Sequence, residues 1–310
     1  MKAFKKDNYL MIIPDPLSII KLFNTIKNSD VIYLVSINPF IASYVIFLSK
    51  LFKKRLILGS YNPLFPKLFE DGAKIGFSGI FYIRLLKSIK NVHVLNIADR
   101  KLFKSQMPNS NIYLIPNFIG NEGIVTMNRS KFIILFVGRL EIEQKGLDLL
   151  AKIINLLKFG PDVEIHIIGA GNDGSKLVNK IVAQNKNVSW LKSISNAELF
   201  KEYKSANLII STSRHESFGL ALLEAQSYGI PAIAFRITGP IEIIKNNYQG
   251  KLIEPFLLDK FSEEILNYYN LWKKDQRKYL NLKFKIHDYI KSKFDKDLII
   301  PKIILMLNGK

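Results

Sequence analysis

The feature that most constrains this chain is an alternation, met twice, of short apolar runs with segments of helical period. In the second half the runs are residues 132–137, 163–168, 208–211 and 231–235. Between them, residues 147–157, 176–184 and 220–228 place apolar side chains at helical spacing, and Gly160 with Pro161 stops the first of these helices. Short runs that are largely apolar predict strands buried on both faces. Strands alternating with helices predict parallel sheets covered by helices, an α/β fold. The first half reads the same way, with strands at 31–36, 55–58, 92–96 and 112–115 and helices at 40–52 and 80–89. The polar stretch 120–130 predicts a linker, and two such halves predict a ligand cleft between two domains. From about Phe261 a lysine- and aromatic-rich tail reads as helices.

Composition excludes several chemistries. The 310 residues include no cysteine, so disulfides, thiolate zinc sites and thiol nucleophiles are absent. A hydrophobic fraction of 48% fits a globular chain. Lys and Arg outnumber Asp and Glu by 45 to 26, a formal charge of +19, which favours anionic partners without choosing among them. The basic residues are dispersed and no nucleic-acid motif accompanies them, so no nucleic-acid partner is expected. No secretory leader is read at the N-terminus, where Pro14 and Pro16 break the apolar run. Residues 39–52 are too short to span a bilayer and predict a buried helix. These features together predict a cytoplasmic protein. Residues 77–90 mix aromatics, aliphatics and cations and suit an acidic membrane surface, peripheral at the inner face of the cell membrane, as well as an ordinary core helix. His93, His166, His215 and His287 are not spaced for a metal site; His166, inside a strand, is expected to be packed or paired.

Three segments carry chemistry. The first is 211–231, STSRHESFGLALLEAQSYGIP. A strand ends near Ser211, a polar loop follows, and a helix begins near Phe218 or Gly219. Its free N–H groups and dipole suit a phosphate or sugar hydroxyls. Glu216 in the loop and Glu224 in the helix can border one pocket, with His215 beside them; helix capping by Glu216 is the plainer reading and weighs about equally. The second is 136–150, FVGRLEIEQKGLDLL, which places Arg139 and Lys145 at the same sheet edge. Two such cations can neutralise a diphosphate. The third, Gly169-Ala-Gly171-Asn-Asp-Gly174, follows a strand and opens a helix like a dinucleotide fingerprint. Residues 189–197 hold no acidic side chain for a ribose, which argues against a dehydrogenase.

In order and spacing, these pieces resemble the C-terminal domain of glycosyltransferase family 4. The resemblance rests on Gly138-Arg139 with Lys145-Gly146, the glycine turn at Gly169, and the E-x7-E element from Glu216 to Glu224. Thr238-Gly239-Pro240 with Glu242, and Gly250 to Pro255, also match, so it covers about residues 131–255. It implies the GT-B fold, two Rossmann-like domains with a donor cleft between them. Residues 1–120 would be a shortened acceptor-side domain, 121–290 the nucleotide-sugar domain, and 291–310 a C-terminal helix returning to the first domain. It implies a retaining hexosyltransferase moving a sugar from a nucleoside diphosphate to a glycan or lipid-linked acceptor. No metal or other cofactor is expected. Arg139 and Lys145 would grip the diphosphate, and Glu224 the ribose. Glu216, with His215, Ser217, Phe218, Gly219 and Leu220, would address the sugar, and Gly169 would back the site. Glu216, Arg139 and Lys145 are the catalytic candidates.

The first half departs from the family pattern. No glycine precedes Gly59, so the usual opening strand, glycine turn and helix are absent or unrecognisable. The loop after Gly59 carries Tyr61 and Asn62 where the family often has a histidine, and these become the acceptor-side candidates. The rival reading is a catalytically impaired nucleotide-sugar-binding or scaffold protein. A GT-B epimerase or phosphorylase is a further alternative.

Overall fold

The computed structural model describes residues 2–6, 9–13, 16–35, 38–62, 69, 76–120, 123, 125–157 and 160–309. The chain divides into two compact units, residues 1–114 with 309–310, and residues 115–308.

The first unit opens with an antiparallel pair, β1 (Lys2–Lys6) and β2 (Tyr9–Ile13), followed by α1 (Pro16–Lys27). A four-stranded parallel sheet then runs in sequential order through β3 (Val31–Leu34), β4 (Arg55–Ser60), β5 (Asn91–Val94) and β6 (Asn111–Leu114). Its crossover helices include α2 (Pro39–Leu51), α3 (Gly76–Lys87) and α4 (Ile97–Gln106). Asn38 starts α2: its Oδ1 accepts the N–H groups of Phe40 and Ile41, and Pro39 fills the first helical position. Asn96, expected to end a strand, instead caps α4 by accepting the Asp99 N–H at 2.7 Å, so β5 stops at Val94.

The two faces of this sheet differ. Leu34, Leu58, Val92 and Val94 point to one side and pack with Ala42, Val45 and Ile46 of α2 and Tyr82 and Leu86 of α3. The other side carries Tyr33, Arg55, Asn91, His93 and Tyr113, joined by polar contacts. That alternation is the period-2 geometry of a strand, and it departs from the two apolar faces expected of a parallel sheet.

The second unit holds a six-stranded, wholly parallel sheet: β7 (Phe132–Val137), β8 (Val163–Ile168), β9 (Val188–Leu191), β10 (Leu208–Ser211), β11 (Ala232–Phe235) and β12 (Gly250–Ile253). The spatial order is β12-β11-β10-β7-β8-β9. The chain starts at the centre, steps outward twice, returns to the other side of β7, and steps outward again. This is the doubly wound order with its reversal between β7 and β10. The helices are α5 (Ile142–Lys145), α6 (Leu147–Leu156), α7 (Ser175–Gln184), α8 (Asn196–Ser205), α9 (Leu220–Ser227) and α10 (Thr238–Ile243). The tail forms α11 (Leu258–Lys274), α12 (Gln276–Phe294) and α13 (Lys296–Asn308).

The core gathers Phe132, Ile134 and Phe136 of β7, Leu147, Leu150 and Ile154 of α6, and Phe261, Ile265 and Trp272 of α11. Residues 125–130 pack on this unit: the Asn128 carbonyl accepts from Trp272 Nε1 at 2.9 Å and from Asn207 Nδ2 at 3.1 Å. No helix among the described residues is long and apolar enough to cross a membrane.

Candidate functional site

In a doubly wound sheet, ligands bind outside the carboxyl ends of the strands where the order reverses. Here that point lies between Val137, the end of β7, and Ser211, the end of β10. Both leading sequence segments begin there. The loop after β7 passes close over its neighbours. Gly169, after β8, has φ +142°, and a Cβ on it would fall 1.9 Å from the Gly138 carbonyl oxygen. At Gly171 and Gly174 a Cβ would fall 2.4 and 2.5 Å from the carbonyl oxygen of Leu140. The three glycines of the fingerprint-like motif thus let the loop at 138–140 lie against the turn after β8. That accounts for them structurally, and the acid-free residues 189–197 remove the dinucleotide reading.

The polar loop after β10 is braced on the opposite side. Arg214 holds Asp148 through two hydrogen bonds at 2.9 and 2.7 Å and also donates to the Ile142 carbonyl. The paired guanidinium keeps the Asp148 carboxyl below its ordinary range. Thr212 donates to the carbonyls of Lys145 and Gly146. A Cβ at Gly239 would meet backbone atoms of Glu216 and Phe218 at 2.8 Å, so the turn at Thr238 supports the loop from behind. Phe218 is buried and meets Phe294 edge-on.

A cavity of about 130 Å³ opens at this edge, lined by Gly138, Lys145, Ser213, Glu216, Gly219 and Leu220 among others. Lys145 donates to Glu216 Oε2 at its wall, with side chains only 15% and 18% exposed. Removing one partner of such a pair leaves an uncompensated charge, at a cost of ~3–5 kcal/mol where burial is complete. Gly219 is the N-cap of helix α9, and Gly219, Leu220, Ala221 and Leu222 line the cavity, so an anion-favouring helix terminus borders it. The Glu216 carboxylate goes to Lys145 while its Cγ stays beside Gly219 at the helix start.

The remaining candidates are placed differently. Arg139 is not among the cavity-lining residues; its side chain is 65% exposed and is held by Glu141 at 2.6 Å and Gln144 at 3.1 Å. His215 is exposed and also outside the lining, while Ser217 is buried. Glu224 does not line the cavity either. Its Oε2 accepts the Tyr203 hydroxyl of α8 at 3.0 Å. Burial raises the Glu224 pKa, and the Tyr203 hydrogen bond opposes that rise. Sequence reasoning missed Tyr203, Arg214 and Asp148. Arg214 stood inside the quoted loop, but nothing in the pattern ties it to Asp148.

Tyr61 and Asn62 belong to the first unit. The Tyr61 hydroxyl bonds to Tyr33 at 2.7 Å and to His93 Nδ1 at 3.0 Å, and Tyr33 also reaches His93 Nδ1. The Tyr33 ring fits because Gly59 offers no side chain: a Cβ there would sit 2.7 Å from Tyr33 Cε1. Burial raises the pKa of both tyrosines. On the adjoining strand, His93 pairs in register with Gly59. His166 is paired, as expected: Nδ1 meets Glu202 at 2.7 Å and Nε2 meets Glu164 at 3.5 Å. Burial opposes its charge, but the two carboxylates outweigh it and raise its pKa.

A family model described as Glycosyl transferases group 1 matches residues 121–282. The poly(ribitol-phosphate) alpha-N-acetylglucosaminyltransferase of Staphylococcus aureus (strain COL) is 29% identical over 208 residues, which is 65% of this chain and 41% of that protein. The chain spans less than half the length of the curated relatives it matches. A crystal structure of S. aureus TarM, as a mutant in complex with Fondaparinux, alpha-GlcNAc-glycerol and UDP, superposes with a TM-score of 0.76 at 23% identity, over 94% of this chain and 58% of that one. Anabaena Alr3699/HepE in complex with UDP-glucose gives a TM-score of 0.74 at 18% identity, over 96% of this chain and 84% of that one. At these identities the likeness is one of fold: α/β, of the GT-B class, with two Rossmann-like domains.

Proposed function

The chain belongs to the Glycosyl transferases group 1 family, and on that premise we propose that it moves a sugar from a nucleoside diphosphate to a glycan or lipid-linked acceptor. The finer reading is a family 4 enzyme that retains anomeric configuration. The observation that carries the sugar-transfer reading is the Lys145–Glu216 pair in the cavity at the β7–β10 reversal. A donor entering there offers each partner a substitute. The diphosphate takes Lys145, joined by Arg139, and the sugar hydroxyls take Glu216. Splitting the pair gives Lys145 a new anion and gives Glu216 hydroxyl donors in place of its cation, which fixes the donor at two points.

In the reaction, the acceptor hydroxyl oxygen bonds to the anomeric carbon. The bond from that carbon to the diphosphate breaks, and the leaving group keeps the electron pair. The acceptor proton passes to the departing phosphate oxygen on the same face. Lys145, Arg139 and the α9 N-terminus stabilise the charge that develops on the diphosphate, a role that needs no bound metal. Glu224 addresses the ribose with Tyr203 steadying its carboxylate, and Gly169 backs the site. His215, Ser217, Phe218, Gly219 and Leu220 shape the sugar pocket, and Tyr61 and Asn62 serve the acceptor.

Isothermal titration with UDP, GDP and ADP in metal-free buffer tests the donor site. Because TarM and HepE were solved with UDP, UDP is tried first. Selective binding by the wild type, weakened by Glu224→Ala and Arg139→Ala, supports the reading. Failure of folded protein to bind any nucleotide overturns it. Turnover with the matching sugar separates an enzyme from a binding protein, and the anomeric configuration of the product tests retention.

A further inference from the structure

Helix α5 is a single turn, Ile142–Lys145. A helix of one turn is not stable alone, because nucleation costs more than one turn returns. It also leaves most of its carbonyls without intrahelical partners. Yet this turn carries Lys145, the cation of the crevice. Its partners come from the loop after β10. The Ile142 and Glu143 carbonyls accept from Arg214 Nη1 at 3.0 and 3.3 Å, and the Gln144 carbonyl accepts the Arg214 N–H at 2.9 Å. The Lys145 and Gly146 carbonyls accept from the Thr212 hydroxyl, each at 3.0 Å. Every carbonyl from Ile142 to Gly146 thus leans on one of two residues in a loop distant in sequence.

The start of the turn is fixed as well: the Ile142 N–H donates to Asp173 Oδ2 at 3.0 Å. Gly146 closes the turn at φ +65°, where a Cβ would fall 2.1 Å from the Thr212 carbonyl oxygen, so the two segments meet backbone to backbone. Arg214 is itself held from α6. Its guanidinium donates to both Asp148 oxygens, at 2.9 and 2.7 Å, and the two side chains are only 22% and 33% exposed. A planar fork of fixed direction is what arginine offers and lysine does not.

Asp148 has a second effect. Arg214 stands two residues before Glu216 in the chain. A guanidinium without a carboxylate of its own would compete with Lys145 for Glu216; Asp148 occupies that competitor. Neither Arg214 nor Asp148 lines the cavity. A pair that served stability alone could join any two surface segments. This one joins the two segments that bear the opposite charges of the crevice, the Lys145 turn and the Glu216 loop.

We propose that Arg214, held by Asp148, is a positioning residue for sugar transfer: it locks the Lys145 turn to the Glu216 loop, so that the two charges meet the reacting diphosphate and sugar at a preset separation. The inference rests on the sugar-transfer reading and adds to it the residue that aligns the site. Placement matters more to the transition state than to the bound ground state. Lys145 has a long, flexible side chain and can follow a diphosphate from a displaced turn. Nucleotide binding therefore tolerates a shift that transfer does not, and loss of Arg214 falls on kcat.

Arg214→Lys on the full chain tests this, because it keeps the charge and loses the fork. With a nucleotide sugar that the wild type turns over, kcat should fall about 30-fold, while UDP affinity by titration should change by less than about threefold. The same substitution made in a Lys145→Met background separates positioning from folding. With one of the two charges gone there is no pair to align, so Arg214→Lys should then cost less than about threefold in kcat. Asp148→Asn keeps the shape and removes the charge; it should show the same split at about tenfold, and it serves if Arg214→Lys melts far below the wild type. Equal kcat losses in both backgrounds, unchanged kcat in both variants, or a loss that falls on UDP affinity instead overturns the proposal. A wild type that binds no nucleotide defeats the sugar-transfer reading and the positioning role with it. Normal wild-type transfer that Arg214→Lys leaves unchanged defeats the positioning role alone.

Discussion

The two sheets are built from the same parts and differ in order. In the second unit the chain begins at β7, in the middle, and its six strands reverse direction of growth between β7 and β10. In the first unit the four strands run sequentially from β3 to β6. A reversal sends successive loops to opposite sides and leaves a crevice at the strand ends; a sequential sheet leaves none. The second unit accordingly gathers a cation, a carboxylate and a helix N-terminus around one cavity, and the first spreads a polar network over one face of its sheet. Topology, more than residue type, decides which unit offers a ready-made ligand site.

The largest expected effect tests whether the crevice carries the chemistry. Lys145→Met should lower turnover by about 10²–10³-fold, the scale of losing one donor to a developing oxyanion. Tyr61→Phe, in the first unit, should cost less than tenfold, because it removes one hydroxyl from a shared network. Steady-state kinetics on both variants decide the matter; a larger loss from Tyr61→Phe would reverse the ranking of the two regions.

Glycine contacts sharpen the contrast on stability. Gly169→Ala would drive a Cβ to 1.9 Å from a carbonyl oxygen at φ +142°, against backbone that cannot step aside. It should cost about 3 kcal/mol or more. Gly59→Ala meets only the Tyr33 ring, at 2.7 Å; the ring can turn, so the cost should be nearer 1 kcal/mol. Urea denaturation orders the two, and equal losses would mean that the loop at 138–140 is free to move.

Buried polar groups separate the units a third time. His93 shares its Nδ1 between two tyrosines, whereas Lys283 on α12 is fully buried with its Nζ on the Ala206 carbonyl at 2.8 Å. Burial lowers the Lys283 pKa from 10.5 to about 7. Between those values the unfolded chain holds a proton that the folded one lacks, so stability rises with pH over that window and the penalty is complete below it. Lys283→Met should therefore raise stability by about 2 kcal/mol at pH 6, with the gain fading as pH climbs through the window. Melting curves across pH test this; a gain that grew with pH would mean that the lysine is charged and paired.

Much of this division was legible in the sequence. The run 132–137 became β7 without change, because six apolar residues in succession are short for a helix and suit a strand covered on both sides. Lys145 and Glu216 were named from their segments and do meet, since strand ends on either side of a reversal are neighbours. What stayed hidden depends on pairing across elements. Nothing in the sequence joins Glu224 to Tyr203, or Arg214 to Asp148. In the first unit, Asn91 and His93 alternate with Val92 and Val94, a pattern of two unlike faces that was read only as a buried strand. Helix α2, expected to be buried, exposes Phe40, Phe47 and Leu51 at 71%, 60% and 58%, because a largely apolar helix names no exposed side.

The smallest expected effect tests the finest assignment in the crevice. The Tyr203 hydroxyl is the partner of the Glu224 carboxylate at 3.0 Å, and burial already raises the pKa of that carboxyl. Tyr203→Phe removes a hydrogen bond that favours the charged form, so the pKa should rise further. If Glu224 binds the ribose as a carboxylate, UDP affinity should fall about threefold near neutral pH, the worth of a single neutral hydrogen bond. The loss should be greater in mild acid, where more of the variant carries its proton. The 2′,3′-dideoxy analogue of UDP lacks the hydroxyls concerned, so its weaker binding should be the same in wild type and variant. Titration of both nucleotides into both proteins gives a double difference that isolates the contact. Equal losses for the two nucleotides would make Tyr203 a support for the packing of α8 and α9, and would leave the ribose to another group in the crevice.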